Sequence, residues 1–299
     1  MNEPLSHISS IEYRLKSVKY LIQLKNKYTY QELSKIFQLP MTVLNRYIKG
    51  HVLPSFERAR QIFKIFLEYY DVKDEIKKQI IFDEDGYFDN SKLITNNFWL
   101  NVIAAKIYNK YYDRGITKIL TAAVDGIPLA VLVGNKLGID TIIAKKSREA
   151  GVQHFLIENY SPGHTGMIVS LYLPTNLISN QDKVLIVEDI IRSGETQQAL
   201  CRLISRSGAL ISGIFTIVGI GEEKWKNQLK KTILNNFLLH LNIDDERRGK
   251  LINCFLDYDI DQFNKLLRNV EKPKYIIESI TRLLNDEVVD IFINIDEPT

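Results

Sequence analysis

The segment VLIVEDIIRSGET, residues 184–196, restricts what this chain can fold into more than any other stretch. Four apolar residues run straight into Glu188-Asp189, and after two more apolar residues comes the turn Arg192-Ser193-Gly194-Glu195-Thr196. A short apolar run bounded by turn residues reads as a buried strand, and its acids then lie at the strand mouth. The residues that follow, QQALCRLISRSG, have helical spacing, so the turn feeds a helix N-terminus. Such a turn offers unpaired backbone N–H groups, here joined by the hydroxyls of Ser193 and Thr196, and suits a phosphate. Two adjacent acceptors beside a phosphate seat can grip vicinal sugar hydroxyls, which implies a ribose 5-phosphate group.

The flanking sequence places that strand in a sheet. KILTAAV reads as a strand, GIPLAVLVGNKLG as a helix ending at Gly138, DTIIAKK as a second strand, TGMIVSLYLP as a third, KVLIVED as the fourth and ISGIFTIVGI as the fifth. Strands alternating with helices predict an α/β domain with a largely parallel sheet. Ligands of such sheets bind at the carboxyl ends of the strands. No G-x-x-x-x-G-K-[ST] and no strand-to-helix G-x-G-x-x-G occurs, which argues against a P-loop ATPase and a dinucleotide site.

VLIVEDIIRSGET resembles the phosphoribosyl pyrophosphate (PRPP) binding motif of type I phosphoribosyltransferases, and other parts match that family in order. AAVDGIPLA, residues 122–130, resembles its pyrophosphate loop, with Val124, Asp125 and Gly126 at the turn, and Lys145-Lys146 resemble the basic pair ending its next strand. Residues 147–166 occupy the place of its mobile loop. The resemblance implies PRPP as ligand, its ribose on Glu188 and Asp189, its 5-phosphate on Arg192–Thr196 and its pyrophosphate on Val124–Gly126 with Lys145 and Lys146. It also implies Mg2+ shared between diphosphate and ribose oxygens, with no dedicated metal-binding side chains.

The front of the chain is different. Residues 11–70 hold 11 Lys+Arg against 4 Asp+Glu, whereas 222–299 hold 12 against 15. Apolar residues of the front recur at three and four, the pattern of short helices on one small core. Thr29 can cap a helix starting at Tyr30, Gln38–Pro40 breaks it, and Gly50 closes the next. Thr29–Ser55 resembles the Cro and lambda-repressor type of helix-turn-helix. That resemblance implies duplex DNA as partner and a homodimer, with Met41, Thr42, Asn45 and Arg46 on the groove-facing side and Lys49 near phosphates.

These readings give an all-α helix-turn-helix domain over 1–81, a linker over 82–96, a parallel-sheet phosphoribosyltransferase-like domain over 97–221 and a helical C-terminal extension over 222–299. In the extension Trp225, Leu229, Ile233, Phe237 and Leu241 form one apolar stripe, read as packing. No apolar run is long enough for a membrane span, the start MNEPLSHISS lacks a signal-peptide pattern, and Cys201 and Cys254 have no metal-binding spacing, so the cytoplasm is expected. Arg192 stands where hypoxanthine-guanine enzymes carry an acid, and 147–166 has no lysine. The architecture resembles regulators such as the purine-operon repressor of Gram-positive bacteria. The expected function is therefore a DNA-binding transcriptional regulator sensing PRPP or a nucleotide, without catalytic residues. The alternative is an active purine or orotate phosphoribosyltransferase.

Overall fold

The structure is a computed structural model that describes residues 7–296 apart from 85, 163–165 and 269, with the side chains of 7–9, 223 and 224 also left undescribed. It divides into two compact units, residues 1–79 and 80–299.

Among its described residues the first unit holds five helices: α1 (His7–Lys25), α2 (Tyr30–Phe37), α3 (Met41–Ile48), α4 (Phe56–Tyr69) and α5 (Val72–Lys77). The start of α2 is set by a reciprocal cap. Thr29 Oγ1 accepts from Glu32 N at 3.3 Å, and the Glu32 carboxylate accepts from Thr29 N at 2.7 Å. Gln38 ends α2 in the left-handed region at φ 51, and Pro40 then opens α3. Leu21, Leu24, Leu33, Leu44, Ile62 and Phe66 make the core. Burying each such side chain contributes about 1.5–3 kcal/mol. Met41, Thr42, Asn45, Arg46 and Lys49 are all exposed, and Asn45 accepts a hydrogen bond from Tyr30 Oη at 3.3 Å.

The second unit begins with α6 (Ser91–Thr95) and α7 (Asn97–Tyr111) and continues β1 (Lys118–Ala122), α8 (Ile127–Leu137), β2 (Asp140–Ala144), β3 (Phe155–Tyr160), β4 (Val169–Pro174), β5 (Lys183–Ile191), α9 (Glu195–Ser207), β6 (Leu210–Ile220), α10 (Glu222–Leu239), α11 (Asp245–Leu256), α12 (Ile260–Leu266), α13 (Lys274–Leu284) and β7 (Val289–Ile295). A 3-10 turn, Thr175–Leu177, lies between β4 and β5. Five parallel strands form one sheet in the order β2-β1-β5-β6-β7. Val184 to Val187 of the central strand are fully buried, as an apolar run covered on both faces should be. Leu200, Ile204, Trp225, Leu229 and Phe237 of α9 and α10 share one core with Leu120, Ile186 and Ile214 of the sheet. No helix among the described residues is long and apolar enough to cross a membrane.

Three expectations differ from the structure. The strand predicted in TGMIVSLYLP exists as β4 but lies outside the parallel sheet, paired antiparallel with β3 from Phe155↔Pro174 to Tyr160↔Val169. Residues 155–160 of the segment expected to be a mobile loop are therefore a strand. Residues 222–299 are not a purely helical extension, because β7 joins the sheet beside β6 and its Phe292 and Ile293 are buried. The β-branched and aromatic residues of VDIFINI suit a partly buried edge strand. Residues 82–96 do not stand apart as a linker: Phe82 bridges Phe88, α6 follows, and the segment belongs to the second unit.

Candidate functional site

The carboxyl ends of β1 and β5 diverge, and the site is built in the gap. Their ladder ends at Leu120↔Ile186, while β5 runs on beside β6 as far as Ile191↔Gly219. Into the gap turns the chain after β1, residues 123–126, tied to β2 by Ala123 N donating to Ala144 O at 2.9 Å. The Ala123-Val124 peptide is cis. Val124 is 70% exposed and Asp125 is exposed, whereas Gly126 is buried and heads α8. Only glycine fits there, since a Cβ would lie 2.3 Å from Thr121 Oγ1 and 3.3 Å from Val187 O.

Adjacent strand residues leave the backbone on opposite sides, and the two acids of β5 have different partners. Glu188 is 5% exposed, and its Oε1 accepts from Ala122 N at 2.7 Å and from Thr121 Oγ1 at 2.9 Å. Burial pushes its pKa up to about 8, with the charges of Asp189 and Asp125 adding to the rise and the two hydrogen bonds opposing it. Asp189, also buried, accepts from Asn90 Nδ2 at 2.9 Å, and the same amide reaches Asp125 Oδ2 at 3.4 Å. Burial raises the Asp189 pKa, followed among the raising causes by Asp125. Glu188 is thus held by β1, and Asp189 with Asp125 forms the carboxylate pair at the opening.

The turn after β5 follows. Gly194 takes φ 77 and precedes α9, whose first turn has no side-chain cap. α8 likewise starts at Gly126 without a side-chain cap. Two helix N-termini therefore flank the carboxylate pair, each with unspent N–H groups. Ser193 Oγ donates to the Glu195 carboxylate, so Glu195 faces the turn and does not point away from it. Trp225 is 1% exposed and donates from Nε1 to Ile220 O at 2.9 Å behind Gly194, which makes it a packing residue. Lys145 pairs with Glu149 at 2.6 Å and bridges Tyr172, while Lys146 is exposed beside it. The β3–β4 hairpin docks on α9 through Glu158, which meets Arg202 and Arg206 at 3.0 Å each.

Two residues of the site escaped the sequence reading, Asn90 and Tyr87. The Arg192 guanidinium carbon lies 4.7 Å from the centre of the Tyr87 ring. Asp89 accepts from Ser91 N at 2.8 Å at the start of α6, which leaves the Asn90 amide for the carboxylates. The one available signal was the turn-rich FDEDGYFDNS, which also fits a connector.

Residues 99–240 match the family described as phosphoribosyl transferase domain. The match covers a little under half of the chain. Among its relatives, the xanthine phosphoribosyltransferase of Macrococcus caseolyticus is 31% identical over 131 residues, covering 42% of this chain and 66% of that protein. The same enzyme of Streptococcus agalactiae is 29% identical over 125 residues, covering 42% and 65%. The chain thus spans a little under two thirds of the length of each. Among solved structures, the adenine phosphoribosyltransferase of Thermoanaerobacter pseudethanolicus is similar at 14% identity and a TM-score of 0.47, covering 74% of this chain and 99% of that one.

The match corrects the expectation of a DNA-binding regulator that only senses PRPP. The relatives of the phosphoribosyl transferase domain are named as enzymes, and the match runs through α10, beyond the boundary expected at 221.

Proposed function

We propose that this chain is an active phosphoribosyltransferase, moving the 5-phosphoribosyl group of PRPP to a purine base of the xanthine type and releasing pyrophosphate. The observation that carries this reading is the pairing of two helix N-termini on either side of Asp125 and Asp189. PRPP has that layout: a 5-phosphate at one end, a diphosphate at the other, and ribose hydroxyls between them. The Gly194–Thr196 turn receives the 5-phosphate, the 124–126 turn the diphosphate, and Asp189 the hydroxyls. In the displacement the bond from C1 to the diphosphate breaks as one to the base nitrogen forms. Charge developing on the diphosphate is met by N–H groups fixed before reaction, with Lys145 and Lys146 nearby.

Among the described residues no cluster of three or more metal-ligating side chains occurs. A Mg2+ that keeps most of its waters and arrives with the substrate needs only one or two carboxylates, and Asp125 and Asp189 fit that role. When bound it would neutralise diphosphate charge.

Incubation with PRPP, Mg2+ and xanthine, guanine, hypoxanthine, adenine or orotate, followed by chromatography, tests the reading. Xanthine 5-monophosphate is the expected product, and Asp189→Asn should lower its rate. No nucleotide from any base at micromolar protein would overturn the proposal.

For the first unit we infer a helix-turn-helix that contacts duplex DNA as a dimer, beside the enzyme and without replacing it. The exposed polar face of α3, with Asn45 and Arg46, supports this. A gel shift at low salt should show weak binding that Arg46→Ala reduces; no shift at low salt would sink it. Free Cys201, buried with its pKa pushed up to about 12, suits a cytoplasmic setting.

A further inference from the structure

At the opposite edge of the sheet, where β5 begins at Lys183 and β6 at Leu210, the second unit holds a cavity of about 660 Å³. It lies at the amino ends of the strands, away from the turns that receive PRPP. Its walls carry Lys110, Arg114, Lys183 and Arg282 against Asp113 and Glu278. Lys110 is engaged by Asp290, and Glu278 pairs with Lys274 at 3.7 Å. Arg114, Lys183 and Arg282 have no ion pair among the described residues.

Two of these cations are placed by aromatic rings. The Arg114 guanidinium carbon lies 4.5 Å from the centre of the Tyr111 ring, and Lys183 Nζ lies 5.3 Å from that of Tyr275. Burial and Asp290 push the Tyr111 pKa well up, and the charges of Arg114 and Arg282 oppose that rise. Arg114 Nη1 is the buried side-chain nitrogen or oxygen that lacks a hydrogen-bond partner among the described residues. Buried donors without acceptors are rare in folded chains, and a cationic one invites an anion. On the rim, Tyr112 is 62% exposed and Tyr275 41%, so aromatic faces border the cationic floor.

We propose that this cavity is a second ligand site, for a phosphorylated molecule of nucleotide size. Phosphate oxygens meet Arg114, Lys183 and Arg282, and the base packs against the tyrosines. The volume lies within the roughly 300–1,000 Å³ typical of small-molecule sites. Guanidinium groups suit phosphate through paired hydrogen bonds. Because the strands of one sheet join the two edges, occupancy here can bias the turns at the other end, and the coupling is then reciprocal.

Calorimetric titration of the full chain with GTP, ATP and inorganic phosphate tests this, using wild type, Lys183→Gln and Arg282→Gln. PRPP binding serves as the control for folding and for the other site. These variants lie on different elements, so one that fails to fold leaves the other informative. The expected result is nucleotide binding that weakens by about tenfold or more in either variant while PRPP binding is unchanged. Three results would overturn the proposal: no nucleotide binding, nucleotide binding unchanged in both folded variants, or phosphate bound as tightly as nucleotide. The readout is binding, so it stands apart from whether the chain transfers phosphoribosyl groups.

Discussion

Glu188→Gln keeps the shape of a buried side chain and removes its proton equilibrium. In the folded chain the carboxyl releases its proton at about 8, because burial outweighs the two hydrogen bonds from β1, whereas its ordinary value is 4.5. Between those pH values the folded state holds a proton that the unfolded state has lost. The stability from this group is therefore fully present below about pH 4.5 and is lost as the pH rises through about 8. At about 1.4 kcal/mol per pH unit, the window from 4.5 to about 8 sets a swing of at most about 5 kcal/mol. The amide of the variant can accept the same two hydrogen bonds without titrating. Its stability should match wild type near pH 5 and exceed it by a few kcal/mol near pH 8.5. Urea unfolding followed by tryptophan fluorescence reads this directly, since both tryptophans, Trp99 and Trp225, lie buried in the second unit. Taking the difference between the two proteins cancels groups common to both, such as His240, whose pKa burial lowers. A difference flat to about 0.5 kcal/mol from pH 5 to 8.5 would refute the assignment of a protonated Glu188.

Substitutions at three further positions probe the same region. Glu195→Gln removes a negative charge that occupies the Ser193 hydroxyl, and PRPP should bind about fivefold tighter, measured by calorimetry; weaker binding would mean that Glu195 helps to build the seat. Asn90→Ala leaves Asp125 and Asp189 without their shared donor and should raise the KM for PRPP by about fivefold, with Asn90→Asp worse still; an unchanged KM in both would remove Asn90 from the site. Gly126→Ala forces a Cβ against Thr121 Oγ1 and should cost about 1–3 kcal/mol in the urea assay, and a neutral result would contradict the close packing of that turn against β1 and β5.

The central strand and the turns after β1 and β5 were legible in the sequence because each combines an uninterrupted apolar run with small or acidic residues at its end. The cap of α2 was equally legible, since Thr29 and Glu32 have the spacing that lets each bond the other's backbone. FLIENY was missed because its half-buried hairpin lacks a strong apolar contrast and lies in a segment whose resemblance implied a loop. VDIFINI was missed because it follows four helices, and local pattern does not say when a chain returns to a sheet. Tyr87 and Asn90 were invisible for another reason. Their role comes from where 80–90 folds back, and a polar turn looks the same whether it connects domains or closes a site. The function was misjudged at Arg192, where a charged residue in place of an expected acid was weighed without knowing that Tyr87 would lie beneath it.

The late arrival of β7 bears on how this protein is made. β6 gains its outer partner only when Val289–Ile295 has been synthesised, after four intervening helices. At about 5–20 residues per second a ribosome needs several seconds to cover that distance. During that time the first unit, whose contacts are local, can already be folded, while the strand Leu210–Ile220 has one edge of free backbone groups. The nascent chain is most exposed to pairing with a neighbour in that interval, so a slow codon or a premature stop between α10 and β7 should lead to aggregates rather than to a shorter folded chain.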